Sequence, residues 1–168
     1  MRIDVRNSRE LLAVIYAVRS LDKTIQKMIR QETKRIAAPE WSEALTKRAD
    51  TALERKVIVG TAVVSVSNQN VRAQSANKGR PLSGGLNPKT DFPAVEYGAD
   101  DDTQTYQRRS RKGGTHKVTR HTASQLKRRR RDGYVFGPAA AEMIPRLARL
   151  WAQTTVRTIA EALNGKQE

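Results

Sequence analysis

The run Val57-Ile58-Val59-Gly60-Thr61-Ala62-Val63-Val64-Ser65-Val66-Ser67 decides the fold class. Helical patterns lie on both sides of it. The run itself is rich in β-branched residues, which suit a pleated backbone. From Ala62 onward, apolar and polar residues alternate loosely, the period of a half-covered strand. A strand or hairpin here makes the chain α+β rather than all-helical.

On the N-terminal side, Leu11, Ile15, Val18, Ile25, Ile29 and Ile36 recur at spacings of three, four or seven. That spacing puts them on one helix face, with Glu10, Arg19, Lys23, Lys27, Arg30 and Lys34 largely around the rest. Ser8 suits the N-cap. About 30 helical residues would make a rod of ~45 Å. Pro39 interrupts the pattern and suits the first turn of a second helix, through Trp41, Ala44 and Leu45 to about Leu53.

On the C-terminal side, Gly79, Pro81, Gly84, Gly85 and Pro88 mark a loop over 77–91. Phe92 to Gly98 reads as a short strand ended by glycine. Residues 99–132 carry few large apolar side chains and contain Gly113-Gly114. Such a segment cannot bury enough surface to offset its ordering entropy, so composition predicts a flexible insertion. A short helix around His121 to Arg131 is the alternative. Gly133 to Gly137 reads as a strand again, and Pro138 opens a final helix. Met143, Ile144, Leu147, Leu150, Trp151, Ile159 and Leu163 give that helix its apolar face, and Asn164-Gly165 stops it. The expected architecture is one α+β domain over 1–168. A small antiparallel sheet is packed by long N-terminal and C-terminal helices, with a long basic loop insertion at 99–132.

The chain has 168 residues, of which 38% are apolar, below the ~45–50% usual for a globular domain. It has no cysteine, which excludes disulfides, thiolate chemistry and cysteine-ligated metal sites. It has no apolar run of about 18 residues and no secretory core after Met1, so a soluble protein of cytoplasmic origin is expected. The formal charge is +15, unevenly spread. Residues 107–131 hold 11 basic side chains and no acidic one: Arg108, Arg109, Arg111, Lys112, Lys117, Arg120, Lys127, Arg128, Arg129, Arg130 and Arg131. The remainder, 21 basic against 17 acidic, is an ordinary soluble body near +4.

Catalytic patterns are weak. His116 and His121, the two histidines, lie five residues apart, which is not the i, i+4 spacing of a helical metal pair. Asp100-Asp101-Asp102 could hold a hard cation, but such a cluster is more often a solvated turn or a local counter-charge to the arginines. The glycines form neither a GxxxxGK[ST] nor a GxGxxG fingerprint. No nucleophile–base set assembles, and Glu96 reads as a lone structural carboxylate. No enzyme activity, metal or cofactor is expected.

The basic run admits three readings. It is a solvated loop, a sequence-independent contact to nucleic-acid phosphates, or a dock for an acidic protein face. Lys127 to Arg131 also matches a nuclear-localisation patch, a match common by chance. Base readout has no apparent recognition element, and Tyr106 alone gives little for single-strand stacking.

Two short stretches flank this insertion: Phe92-Pro93-Ala94-Val95-Glu96-Tyr97-Gly98 and Gly133-Tyr134-Val135-Phe136-Gly137-Pro138-Ala139. Their order resembles the tail-completion or head–tail connector proteins of long-tailed bacteriophages, the minor tail protein Z-like group. Those proteins begin with a long helix. They then carry a hydrophobic-Glu-aromatic-Gly element, a variable loop, an aromatic stretch ending in Pro-Ala, and a final helix. The anchors here are Pro93, Glu96, Tyr97, Gly98, Tyr134, Phe136 and Pro138. The insertion is unusually basic, and Gly137 stands where an arginine often precedes Pro-Ala. The resemblance implies a structural virion protein of the neck or upper tail, assembled in the host cytoplasm. It implies a homo-oligomeric ring, often sixfold, around the DNA channel, beside a stopper and a tail terminator. The basic run would meet a neighbouring connector protein, the favoured reading, or genomic duplex DNA. A free sequence-independent DNA-binding accessory protein is the alternative.

Overall fold

A computed structural model describes residues 9–77, 80–82, 85–100, 102–121 and 126–164. Five helices and two separate two-stranded antiparallel sheets are present among them, an α+β fold. None of these helices is long and apolar enough to cross a membrane.

The N-terminal pattern is not one rod. Helix α1 (Arg9–Ser20) stops, and α2 (Lys23–Thr46) restarts two residues later. Asp22 causes the break, because its carboxylate caps α2 by accepting the Thr24 N–H at 2.9 Å. Ser8, the expected cap of the first helix, lies outside the described residues. Pro39 does not interrupt α2, which runs through it to Thr46. Pro39 is exposed, so the carbonyl its missing N–H leaves free can bond water instead. The expected second helix to Leu53 is therefore split. Its front half belongs to α2, and a separate α3 (Ala52–Val57) follows behind a Thr51–Glu54 capping box.

The run that decides the fold class is a composite. Val57 ends α3, a 3₁₀ turn spans Val59–Thr61, and β1 (Val63–Val66) pairs with β2 (Val71–Gln74) as a hairpin. Thr61 closes this corner: its Oγ1 donates to the Val57 carbonyl at 2.5 Å and accepts the Ala76 N–H at 2.7 Å. Next comes α4 (Pro88–Tyr97), then β3 (Thr103–Arg109) and β4 (Thr115–His121), and finally α5 (Phe136–Asn164).

Three expectations on this side need correction. Phe92 to Tyr97 is helix, not strand, and Gly98 is its C-cap. Asn87 caps α4 and Pro88 opens it, an N-cap and N1 pair that outweighs the β-like residues behind it. Gly133 to Gly137 is a turn that enters α5, whose first residue is Phe136 rather than Pro138. The insertion at 99–132 is not a structureless loop: over 103–121 it is a regular hairpin. Residues 126–131 are not helical, and 122–125 lie outside the described residues, as do Gly79, Gly84 and Gly165.

The core lies between α2 and α5. Ile29, Ala37, Trp41 and Leu45 of α2 meet Ala139, Ala140, Met143, Leu147 and Trp151 of α5, and Val64 and Val71 of the first hairpin close the side. The Trp41 indole N–H donates to the Gln74 carbonyl at 3.2 Å, which ties α2 to β2. Phe136 sits edge-on to both Trp41 and Phe92, with centroids 5.4 and 5.8 Å away. The start of α5 is thereby pinned between α2 and α4.

Candidate functional site

The two stretches that flank the basic insertion close on each other. Helix α5 begins with backbone N–H groups that have no partner within the helix and a positive dipole end. Glu96, fully buried in the last turn of α4, supplies the partner. Its carboxylate accepts the N–H of Val135 at 3.3 Å, of Phe136 at 2.9 Å and of Gly137 at 2.9 Å. Main-chain bonds extend the contact, from Tyr134 N–H to Glu96 carbonyl at 3.0 Å and from Arg130 N–H to Tyr97 carbonyl at 2.7 Å. The Ala99 N–H donates to the Lys127 carbonyl at 3.0 Å, beside a parallel bridge from Ala99 to Arg128. We call this joint the clasp.

Two glycines let the clasp close. Gly133 has φ 74°, and a Cβ there would overlap the Glu96 carboxylate. Gly98 has φ 74°, and a Cβ there would overlap the Lys127 and Arg128 backbone. Both positions combine left-handed backbone with a close approach, which glycine alone tolerates.

The eleven cations separate into two groups. In the clasp group, Lys127 bridges Glu54 at 2.7 Å and Asp50 at 3.0 Å, with its ammonium 4.7 Å from the Tyr134 ring centre. Burial opposes its charge, but the two carboxylates outweigh that, and Lys127 is held above the ordinary lysine pKa. Arg129 pairs with Asp100 at 3.0 Å, and Arg130 lies over Tyr134 at 5.5 Å. The Tyr134 hydroxyl donates to the Arg128 carbonyl at 2.7 Å. Arg131 is exposed. Arg129, Arg130 and Arg131 also line an open cleft of about 780 Å³ floored by Pro93, Ala94 and Tyr97. Pro138 is half-buried in the first turn of α5.

The arm group comprises Arg108, Arg109, Arg111, Lys112, Lys117 and Arg120. The β3–β4 register pairs Thr103 with His121 and Arg109 with Thr115. Ser110, Arg111, Lys112, Gly113 and Gly114 form the tip, closed by the Ser110 N–H to Gly114 carbonyl bond at 2.6 Å. Every residue of β3 is exposed, and in β4 only Val118 is half-buried. Neither face of the hairpin is therefore packed on the core. One face carries Gln104, Tyr106, Arg108, His116, Val118 and Arg120; the other carries Thr105, Gln107, Arg109, Lys117 and Thr119. The Arg120 guanidinium lies 5.7 Å from the Tyr106 ring centre. Among the described residues none of the six arm cations is in an ion pair.

His116 and His121 point to opposite faces of β4, an odd number of residues apart, and His121 Nδ1 meets the Thr103 hydroxyl at 3.0 Å. Asp100 serves Arg129, and Asp101 lies outside the described residues. Among the described residues no three His, Asp or Glu side chains converge as metal ligands. Asp50 and Glu54, the partners of Lys127, were not singled out from the sequence, although the Thr51-x-x-Glu54 spacing is a readable capping box.

The chain matches no family model, no curated protein and no solved structure. The geometry therefore stands by itself: a buried carboxylate clasp holds the feet of an exposed cationic ribbon. Chemically, the clasp fixes backbone, and the ribbon presents charge and hydrogen-bond donors at the surface.

Proposed function

We propose that this chain is a structural virion protein of the phage neck or upper tail. It forms a homo-oligomeric ring that joins head to tail around the DNA channel, and it performs no turnover. The observation that carries the reading is the arm, a regular β-ribbon rooted in the body at a fixed joint and exposed on both faces. An element built this way contributes little to its own core and is suited to reach a neighbour or the channel contents. The joint is formed by the same two stretches on which the connector resemblance rests. Lateral contacts between subunits have material in the exposed Val156 and Leu163, seven residues apart on the outer side of α5, and in Tyr16 of α1. A closed ring needs two different complementary faces per subunit, and long helices plus a projecting arm provide them.

The test is the mass of the purified protein in solution, followed by imaging of particles that carry it. A ring of fixed subunit number, and density for this chain as a collar between capsid and tail, is the expected result. A monomer at tens of micromolar that is absent from purified particles overturns the reading.

A second reading, a free accessory protein that binds DNA without sequence preference, is favoured by one observation. The six arm cations have no acidic partner among the described residues and are available to phosphates. Particles that join head to tail normally when this protein is missing would select it.

A further inference from the structure

We infer that the β3–β4 arm engages both walls of an anionic groove, and that the groove is that of duplex DNA, contacted through phosphates without base readout. The argument begins with the two-faced distribution of charge. Arg108 and Arg120 lie on the face with Tyr106, Arg109 and Lys117 lie on the opposite face, and Arg111 and Lys112 cap the tip. A flat acidic protein surface meets one face of a ribbon and leaves the other in water. A groove meets both. The major groove of duplex DNA is about 12 Å wide, admits a two-stranded β-ribbon and has phosphates along each wall. Seven residues per strand at about 3.4 Å give an arm of ~24 Å, enough to follow several phosphates.

Composition favours the same partner. Protein interfaces bury a central cluster of aromatic and apolar anchors. The arm offers the Tyr106–Val118 pair, with Tyr106 already carrying Arg120 over its ring. Its other side chains are hydroxyls, amides, imidazoles and cations, the groups that donate to phosphate oxygens. No acidic residue lies between 103 and 121. Contacts of this kind carry no sequence information and allow sliding, as a channel through which a genome passes requires. The inference names the partner of the arm in the connector proposed above and rests on that reading for the arm's setting.

The experiment uses the full chain and a labelled 30-base-pair duplex of random sequence, with binding followed by fluorescence anisotropy across salt. Six phosphate contacts predict a slope of log K on log salt of about −5. The double variants Arg108→Ala/Arg120→Ala and Arg109→Ala/Lys117→Ala each weaken binding roughly 10-fold and each lower the slope by about 2. The body double Lys56→Ala/Arg149→Ala, with the same charge change, stays within about twofold. Circular dichroism of every variant confirms the fold. Unchanged binding when either face is stripped overturns the groove, as does a 30-nucleotide single strand bound as tightly as the duplex. Poly-glutamate that displaces the duplex as well as unlabelled duplex does overturns the choice of DNA over an acidic protein. Mass measurement on the same sample keeps the two claims apart. A ring that ignores the duplex sinks this inference alone, and a monomer that binds it on both faces sinks only the ring.

Discussion

The clasp and the arm share one stretch of sequence and nearly the same number of cations, five and six, but those cations do different work. Lys127 is held by Glu54 and Asp50, Arg129 by Asp100, and Arg130 by the Tyr134 ring. Among the described residues the six arm cations form no ion pair with the body. Lys127, Arg129 and Arg130 are recruited to the joint, whereas the arm cations stand exposed on their ribbon. The difference lies not in residue type but in whether carboxylates of the body stand within reach.

If this contrast holds, mutations in the clasp cost folding stability and mutations in the arm do not. The largest effect is expected for Glu96→Ala. It leaves three N–H groups at the start of α5 without an acceptor and opens space against Gly133, for a loss of about 3 kcal/mol or more in denaturant unfolding. Glu96→Gln keeps the shape and one acceptor oxygen and should lose about half as much. A Glu96→Ala protein as stable as the parent would break the comparison at its centre.

Gly133→Ala comes next, at about 2 kcal/mol, because the added methyl meets the Glu96 carboxylate on a backbone with φ 74°. Thermal unfolding reads it, and Gly113→Ala at the arm tip is the internal contrast. Gly113 also has positive φ, at 88°, but a Cβ added there would stand in open space, so its loss should be confined to local strain in the arm. Equal losses of global stability at the two positions would mean that the arm is part of the cooperative core.

Lys127→Met should cost about 1 kcal/mol, since it removes the cation from an exposed Asp50 and from a buried Glu54 that keeps the Asp50 and Thr51 N–H groups. The pH dependence has a definite sign. The folded pKa of Lys127 is raised, so its stabilisation is complete below the ordinary lysine value of 10.5 and fades as pH climbs through the higher folded value. Between pH 9 and 12 the parent should lose stability that Lys127→Met no longer has to lose. Parallel curves would show that the bridge does not contribute.

The smallest effect belongs to the arm. Replacing 103–121 by a short Gly-Ser linker should shift unfolding by less than about 0.5 kcal/mol, because its side chains are exposed and contribute little to the core. A shift several times larger would erase the distinction between the two regions.

How much of this was readable in the sequence follows the same division. The α2 and α5 faces were visible because burial on one side writes a helical period into the residues, as Ile29 and Met143 illustrate. The arm wrote no such period. A strand exposed on both faces has no reason to alternate, so Thr103 to His121 looked like a loop although its Thr, Tyr and Val content and its Gly113-Gly114 tip are hairpin material. Helix α4 was hidden differently. Its N-cap Asn87 and Pro88 fell within a stretch whose glycines and prolines suggested a loop, and the helix carries Pro93 on an exposed side. Glu96 was legible as a structural carboxylate, but what it holds was not. That depends on an acceptor meeting donors about 40 residues away, and spacing along the chain does not encode that meeting.

The main-chain tie between Ala99 and Lys127 has a consequence for how such a chain can change. Where the two feet of an excursion are already fastened together, the excursion is a side branch rather than a link, and the body does not register what hangs from it. Doubling such a loop adds only about 0.6 kcal/mol of closure entropy. The position is thus a permissive graft point, where length, charge or an entire foreign module can be exchanged while the parent fold is inherited unchanged.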